Sequence, residues 1–169
     1  MRVSAGLGLG TARRDRDGGR EKVSGLQGLA SLDLGGAVRP DLVVFGRLGG
    51  FAVNHASDSD SPNAGSAYFA LLGIGARYHL MPRDWYASGA LSLALMSVTS
   101  DLGDVENAHP GFGFELELGK NFWAGTPREA RTVGLGARLA YVRCGSLGGA
   151  GAGPWVGTAF SLVFSTTIE

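Results

Sequence analysis

Apolar and polar side chains alternate through almost every stretch of this chain. In residues 111–119, large apolar side chains occupy every second position from Phe112 to Leu118, and the positions between them hold only glycine, Glu115 and Glu117. Side chains point alternately to the two faces of a strand, so this segment has one apolar and one charged face. Repeated over eight strands, the pattern predicts a transmembrane β-barrel.

Eight alternating segments follow one another along the chain, and most are close to the roughly ten residues with which a tilted strand crosses a membrane. We therefore predict an all-β fold, an eight-stranded antiparallel up-and-down transmembrane β-barrel that takes up residues 1–169 as a single domain. The predicted strands are Arg2–Ala12, Val23–Val38, Leu42–Asn54, Ala67–Leu80, Trp85–Val98, Gly111–Trp123, Thr132–Cys144 and Trp155–Thr166.

The predicted connections alternate in length. Those after strands one, three, five and seven are long and polar or glycine-rich, whereas each of the others is short and contains a proline. Long loops on the outside and short turns in the periplasm are typical of outer-membrane barrels. The long connections are Arg13–Lys22, His55–Ser66, Thr99–Pro110 and Gly145–Pro154, and the short ones are Arg39–Asp41, Met81–Asp84 and residues 124–131.

The composition excludes several classes of function. Lys plus Arg equals Asp plus Glu at 15 each, which gives no electrostatic case for nucleic-acid binding. Only Lys22 and Lys120 are lysines, and this scarcity argues against a water-facing exterior. The lone Cys144 excludes an internal disulfide, and we expect no metal and no cofactor. The first strand follows Met1 directly, so we expect the export signal to be missing from this sequence.

Six charged residues on the polar face predict ion pairs inside the barrel. A lumen of this size has room only for side chains or one small ligand, and unpaired charges there are costly. We expect a salt-bridge network that fixes the register and plugs the lumen, and an ion path gated by these pairs is the functional alternative. The six are Asp33, Arg47, Arg77, Glu115, Glu117 and Arg138.

The turns suggest how these charges pair. A third short turn centred on residues 126–127 places Glu115 directly opposite Arg138, with the second glutamate one diagonal away. The first short turn sets Asp33 beside Arg47 on the next strand.

The C-terminal segment Gly157–Phe164 resembles the signal by which the barrel-assembly machinery recognises a last strand. With the eight-strand architecture, it makes the whole chain resemble the small outer-membrane barrels of the OmpA/OmpX and opacity-protein type. That family usually ends on an aromatic residue, whereas residues 165–169 follow here. The resemblance implies a monomeric, non-enzymatic protein of the bacterial outer membrane with a structural or surface-interaction role.

The tripeptide His55-Ala-Ser57 is similar to the His-x-Ser pair of lipid A deacylases, which are also eight-stranded barrels. Here the pair follows strand three, and Asp58 and Asp60 stand in place of the expected Glu, so a polar loop is the favoured interpretation. The alternate carboxylates could bind Ca²⁺ weakly, but the Gly and terminal Glu of a calcium loop are missing.

Arginines of the first long connection, together with one near the end of strand seven, are candidate contacts for lipopolysaccharide phosphates. An ordinary charged loop is the alternative. With outer-membrane lipids and the assembly machinery, lipopolysaccharide completes the expected partners. The candidate arginines are Arg13, Arg14, Arg16 and Arg143.

Two further alternatives concern the barrel as a whole. One is a narrow channel through the membrane. The other is a soluble lipocalin-like barrel, in which the Phe112–Leu118 stripe points inward to a ligand while Glu115 and Glu117 face water.

Overall fold

Eight strands close into one antiparallel barrel, in which each strand pairs with its neighbours in sequence and β8 pairs with β1. The computed structural model describes residues 1–16, 19–54, 66–80, 83–99, 105–123, 131–145 and 153–168, with residues 16, 19–21, 105–109 and 123 described by their backbone alone. The strands are β1 (Arg2–Arg16), β2 (Gly19–Arg39), β3 (Leu42–Val53), β4 (Ser66–Leu80), β5 (Trp85–Thr99), β6 (Val105–Trp123), β7 (Arg131–Cys144) and β8 (Trp155–Ile168).

The predicted fold class is confirmed, and so is the order of the eight strands. In the residues that the structure describes, no helix is long and apolar enough to cross a membrane.

The first connection is much shorter than predicted. Residues Arg13–Lys22 were expected to form a long polar loop, but β1 and β2 continue through them and pair as far as Arg16 and Gly19. Backbone hydrogen bonds hold a ladder together whatever its side chains are, so the polarity of a segment does not mark where its strand ends.

The third long connection, predicted as Thr99–Pro110, is also partly strand. β6 begins at Val105, and the register between β5 and β6 shifts between Met96 and Val98, next to the pairing of Leu95 with Pro110. Proline cannot donate to the ladder, and an irregular register is where a strand tolerates it.

The barrel has two different ends. At the turn end, short turns join β2 to β3 and β4 to β5, and both chain ends lie there, with Ile168 N donating to Met1 O. Asp84 in the β4–β5 turn adopts a positive φ of 55°, a conformation that Asp tolerates better than most residues. The opposite, loop end carries the β1–β2 hairpin and the segments that connect β3 to β4, β5 to β6 and β7 to β8.

The outer wall is apolar. Leu7, Ile74 and Leu93 are 75, 73 and 72% exposed, and leucine and phenylalanine occupy outward positions on all sides of the barrel. Aromatic side chains lie exposed near the turn end: Tyr78, Trp85, Phe122 and Phe164.

The same distribution decides between the membrane and the lipocalin-like alternatives. Phe112 and Leu118 are 60 and 64% exposed, whereas Glu115 and Glu117 are buried in the lumen. The lipocalin-like arrangement required the opposite orientation of both pairs, so that alternative is wrong.

The lumen is divided into two halves of different chemistry. Arginine and carboxylate side chains fill the half near the turn end. An apolar cluster fills the half near the loop end, where Val53, Met96 and Cys144 are fully buried and the rings of Phe51 and Phe69 stack at 4.5 Å. Gln27, which donates to Ser161 Oγ at 3.0 Å, lies within the apolar half, between Val23 and Leu29 along β2.

Candidate functional site

Asp33 is the centre of one group of ion pairs. Arg47 lies opposite it on β3 and donates to both carboxylate oxygens, from Nε at 2.7 Å and from Nη2 at 2.9 Å. Arg77 on β4 donates to Oδ2 from Nη2 at 2.7 Å. The two guanidinium groups both lie 5.0 Å from the ring centre of Phe45. One carboxylate of β2 thus binds arginines of the next two strands.

Glu117 on β6 is the centre of a second group. Its Oε2 accepts from Arg138 Nε at 2.9 Å and from Nη2 at 2.6 Å. Its Oε1 accepts from Arg2 Nη2 at 2.9 Å and from the Tyr86 hydroxyl at 2.6 Å. Arg2 also donates to the Tyr86 hydroxyl, so β1, β5, β6 and β7 meet at one carboxylate.

Glu115 joins the two groups across the lumen. Its Oε2 accepts from Arg47 Nη1 at 3.2 Å, and its Oε1 accepts from Arg138 Nη1 at 3.4 Å. The same Arg138 nitrogen donates to Ser31 Oγ of β2 at 3.0 Å. The result is one continuous lumenal network, in which side chains from β3 and β7 reach strands that are not their neighbours.

The structure brings together all six charged residues that the sequence singled out, but it corrects one pairing. Glu117, not Glu115, lies opposite Arg138, and Glu115 pairs with Ala140 in the ladder. The predicted register of β6 against β7 is wrong by two residues. A shift of two positions keeps every side chain on its face, so alternation alone could not detect the error.

Arg2 and Tyr86, the two other residues that bind Glu117, were not among the predicted site residues. Arg2 has the same inward parity as Ser4, and both are buried, so the alternation of β1 contained the signal. The alternation of β5 already pointed Tyr86 inward, but its role was not predicted. A Cβ at Gly119 would lie 2.6 Å from Tyr86 Cζ, and one at Gly136 2.9 Å from its hydroxyl, so these two paired glycines make room for the ring.

The predicted lipopolysaccharide contacts divide into three groups. Arg13 and Arg143 are exposed on the outer wall at the loop end. Arg14 is buried in the lumen with its guanidinium 5.7 Å from the ring centre of Trp155, so its prediction as a lipid contact is wrong. The segment is a strand, in which consecutive side chains face opposite sides of the wall. Arg14 therefore points into the lumen while Arg13 points outward. The side chain of Arg16 lies outside the described part of the structure.

The remaining candidate sites fall on residues that the structure does not describe. His55, Ser57, Asp58 and Asp60 all lie outside the described residues, and with them the proposed deacylase pair and the calcium-like loop. Among the residues that are described, no group of three or more His, Cys, Asp and Glu side chains is placed to hold a metal ion.

Comparison with known proteins supports the architecture. No family model and no curated protein matches the sequence. Neisserial surface protein A is similar in structure over 96% of this chain and 95% of its own, with a TM-score of 0.58 and 14% identity. The fold is that of a small outer-membrane barrel. The expected resemblance is therefore confirmed at the level of the fold.

Two other solved structures match with lower scores. Ail, the attachment invasion locus protein of Yersinia pestis, has a TM-score of 0.47 at 14% identity, with 98% of both chains covered. The outer membrane protein OprG from Pseudomonas aeruginosa has a TM-score of 0.39 at 10% identity, with 99% of this chain and 96% of that chain covered.

Proposed function

We propose that this protein is an integral barrel of the bacterial outer membrane, with a structural or surface-interaction role and a lumen closed by its own side chains. The observation that carries the proposal is the inverted distribution of side chains: leucine and phenylalanine cover the outside, and arginine and carboxylates are buried inside. Apolar surface of this extent is stable when lipid covers it. A closed barrel also satisfies its backbone hydrogen bonds without water.

Two barriers in series support a closed lumen. In the turn-side half, Arg47 and Glu115 bridge β3 and β6 across the lumen, so an ion would have to separate these charges. In the loop-side half, the ion would then meet Val53, Met96 and Cys144, none of which is accessible to water. Crossing an apolar section leaves an ion without hydration or partners, which is costly. We therefore favour a sealed barrel over a narrow channel.

An outward-facing row of cations at the loop end supports contact with lipopolysaccharide. Val156 of β8 pairs with Arg13 of β1 on one side and with Arg143 of β7 on the other. Arg13 pairs in turn with Lys22 of β2. All three cations are exposed. They occupy one level of β2, β1 and β7 at the edge of the apolar wall, where lipid phosphates can accept their charge-assisted hydrogen bonds. This arrangement favours a loop end at the cell surface and a turn end in the periplasm.

We further propose that the barrel is monomeric and has no enzymatic activity, and that β8 is the strand recognised by the assembly machinery. Phe160 and Phe164 are exposed on the outer wall of β8, and β8 closes the barrel by pairing with β1. Closure leaves no free strand edge for pairing with a second copy.

Localisation and membrane insertion are tested together. An exported form of the protein should fractionate with the outer membrane, require detergent for extraction, and migrate faster in gels unheated than after boiling. A protein that stays monodisperse in buffer without detergent would contradict the proposal.

Planar-bilayer recordings test the closed lumen. We expect no reproducible conductance from the purified barrel. A steady conductance that increases in Met96→Ala would instead establish the narrow channel.

Lipid A analysis tests the absence of activity. Cells that express the wild type and cells that express Ser57→Ala should show the same lipid A acylation as cells without the protein. Loss of an acyl chain in the wild type alone would establish a deacylase.

The row of cations is tested by thermal unfolding with added lipopolysaccharide. We expect stabilisation of the wild type and a smaller effect in the Arg13→Gln/Lys22→Gln/Arg143→Gln variant. Arg39→Gln, a cation of the turn end, is the matched control and should respond as the wild type does. Equal responses of all three proteins would remove lipopolysaccharide from the proposal.

A further inference from the structure

A cavity of about 460 Å³ lies at the turn end, between the lumenal network and the mouth of the barrel. Its volume corresponds to many water molecules, each of which occupies about 30 Å³ in the liquid. Arg2, Asp33 and Arg77 of the network line it, and Asp84 of the β4–β5 turn lies on its wall with His79 and Asn121. The cavity is therefore in direct contact with two of the four network arginines.

The network carries one positive charge in excess. Its guanidinium groups belong to Arg2, Arg47, Arg77 and Arg138, and its carboxylates are those of Asp33, Glu115 and Glu117. Asp33 already binds Arg47 through both oxygens, so Arg77 shares a carboxylate that another arginine occupies. The excess charge is thus located on the cavity side of the network.

Three donor nitrogens on this side are buried without a partner. Nε and Nη1 of Arg2 and Nε of Arg77 have no hydrogen-bond partner in the described structure, although the two residues are only 2 and 4% exposed. Both guanidinium groups lie against the ring of Tyr86, at 4.4 and 5.5 Å from its centre. Two like charges beside one ring, with unused donors, are the arrangement that an anion stabilises.

We propose that this cavity binds a small tetrahedral oxyanion, of the size of phosphate or sulfate, through Arg2 and Arg77. The ion neutralises the excess charge of the network, and the two guanidinium groups turn toward the cavity so that their unpartnered nitrogens donate to it. It comes from solution rather than from a lipid headgroup, because the cavity lies inside the barrel wall whereas lipids lie outside it. Asp84 opposes anion binding by its charge, so its removal should strengthen the site.

The test is a titration of the refolded full-length barrel with inorganic phosphate, in a maltoside detergent that contains no phosphate, at constant ionic strength set with chloride. The ¹⁵N–¹H signals of the arginine Nε groups report on the site directly. We expect saturable shifts of Arg2 and Arg77, and no saturable shift of Arg39, which is exposed at the turn end and does not line the cavity.

Variants then locate the ion. Arg77→Met should weaken phosphate binding about tenfold, since it removes one charge-assisted contact. Arg39→Met, at an exposed arginine of the turn end that does not line the cavity, is the matched control and should bind as the wild type does. Asp84→Asn should bind more tightly than the wild type.

Two outcomes would overturn the proposal: no saturable shift of Arg2 and Arg77, or the same phosphate affinity in Arg77→Met as in the wild type. The wild-type titration keeps the proposal testable even if Arg77→Met does not refold. A second experiment, with phosphatidylglycerol bicelles and no inorganic phosphate, identifies the source of the anion. Shifts of Arg2 in that experiment would assign the site to a lipid headgroup instead. A barrel that inserts into membranes but shows no phosphate response would contradict this inference alone.

Discussion

Glu117 and Arg138 lie directly opposite each other on β6 and β7, and Nη2 and Nε of Arg138 both donate to Oε2 of Glu117, at 2.6 and 2.9 Å. The same carboxylate accepts hydrogen bonds from Arg2 and Tyr86. Glu115 lies diagonal to Arg138 in the ladder and accepts only longer hydrogen bonds, at 3.2 Å from Arg47 and 3.4 Å from Arg138. Two glutamates on one face of one strand therefore have unequal structural roles.

Glu117→Gln should consequently destabilise the barrel more than Glu115→Gln. Removing one partner of a buried ion pair costs about 3–5 kcal/mol, and Glu117 is the acceptor for three side chains. Urea unfolding in detergent micelles, followed by the heat-dependent gel mobility, measures the difference. The prediction is wrong if the two variants lose equal stability.

Arg47 and Arg77 should also differ, although both bind Asp33. Arg47→Met leaves Asp33 without its bidentate partner and removes a partner of Glu115, so we expect a loss of about 3–5 kcal/mol. Arg77→Met leaves the bidentate pair intact and removes the excess positive charge, so its cost should be smaller. The same unfolding experiment at neutral pH compares them, and an equal or larger loss in Arg77→Met would contradict the described network.

Packing around Tyr86 gives a third prediction. A methyl group at Gly119 would overlap the Tyr86 ring and push its hydroxyl away from Glu117, so Gly119→Ala should cost about 1–3 kcal/mol. Gly28→Ala is the matched control, because a Cβ there meets no atom within 4 Å and the change should stay within about 0.5 kcal/mol. Equal effects of the two substitutions would show that Tyr86 does not pack against Gly119.

Alternation in the sequence predicted the faces of the barrel because the period of a strand is two, whatever the register. It placed the Phe112–Leu118 stripe outside and Glu115 and Glu117 inside, and both assignments agree with the structure. The ladder pairing of Asp33 with Arg47 was also predictable, since only Pro40 and Asp41 lie between β2 and β3. A tight turn leaves little freedom for the register.

Other features of the network depended on register, side-chain reach and strand length, none of which alternation specifies. Glu115 and Glu117 have the same parity, so the choice of partner for Arg138 depended on a turn whose length does not fix its geometry. The contact of Arg47 with Glu115 joins strands that are not neighbours, and it requires the long arginine side chain to cross the lumen. The prediction of Arg14 as a lipid contact is wrong because a segment of β1 was interpreted as a loop.

The apolar outer wall gives the last prediction. Leu91 lies in the middle of β5 and is 70% exposed, so Leu91→Arg should place a charge near the centre of the bilayer and cost about 2–4 kcal/mol. Val38→Arg, at the turn end of β2 and 62% exposed, is the matched control and should cost at most about 1 kcal/mol, because an arginine there reaches the headgroups. Both are measured by reversible unfolding from lipid vesicles. A barrel with a water-facing exterior would tolerate both substitutions equally, so equal costs would refute the membrane-spanning orientation and, with it, the proposed location.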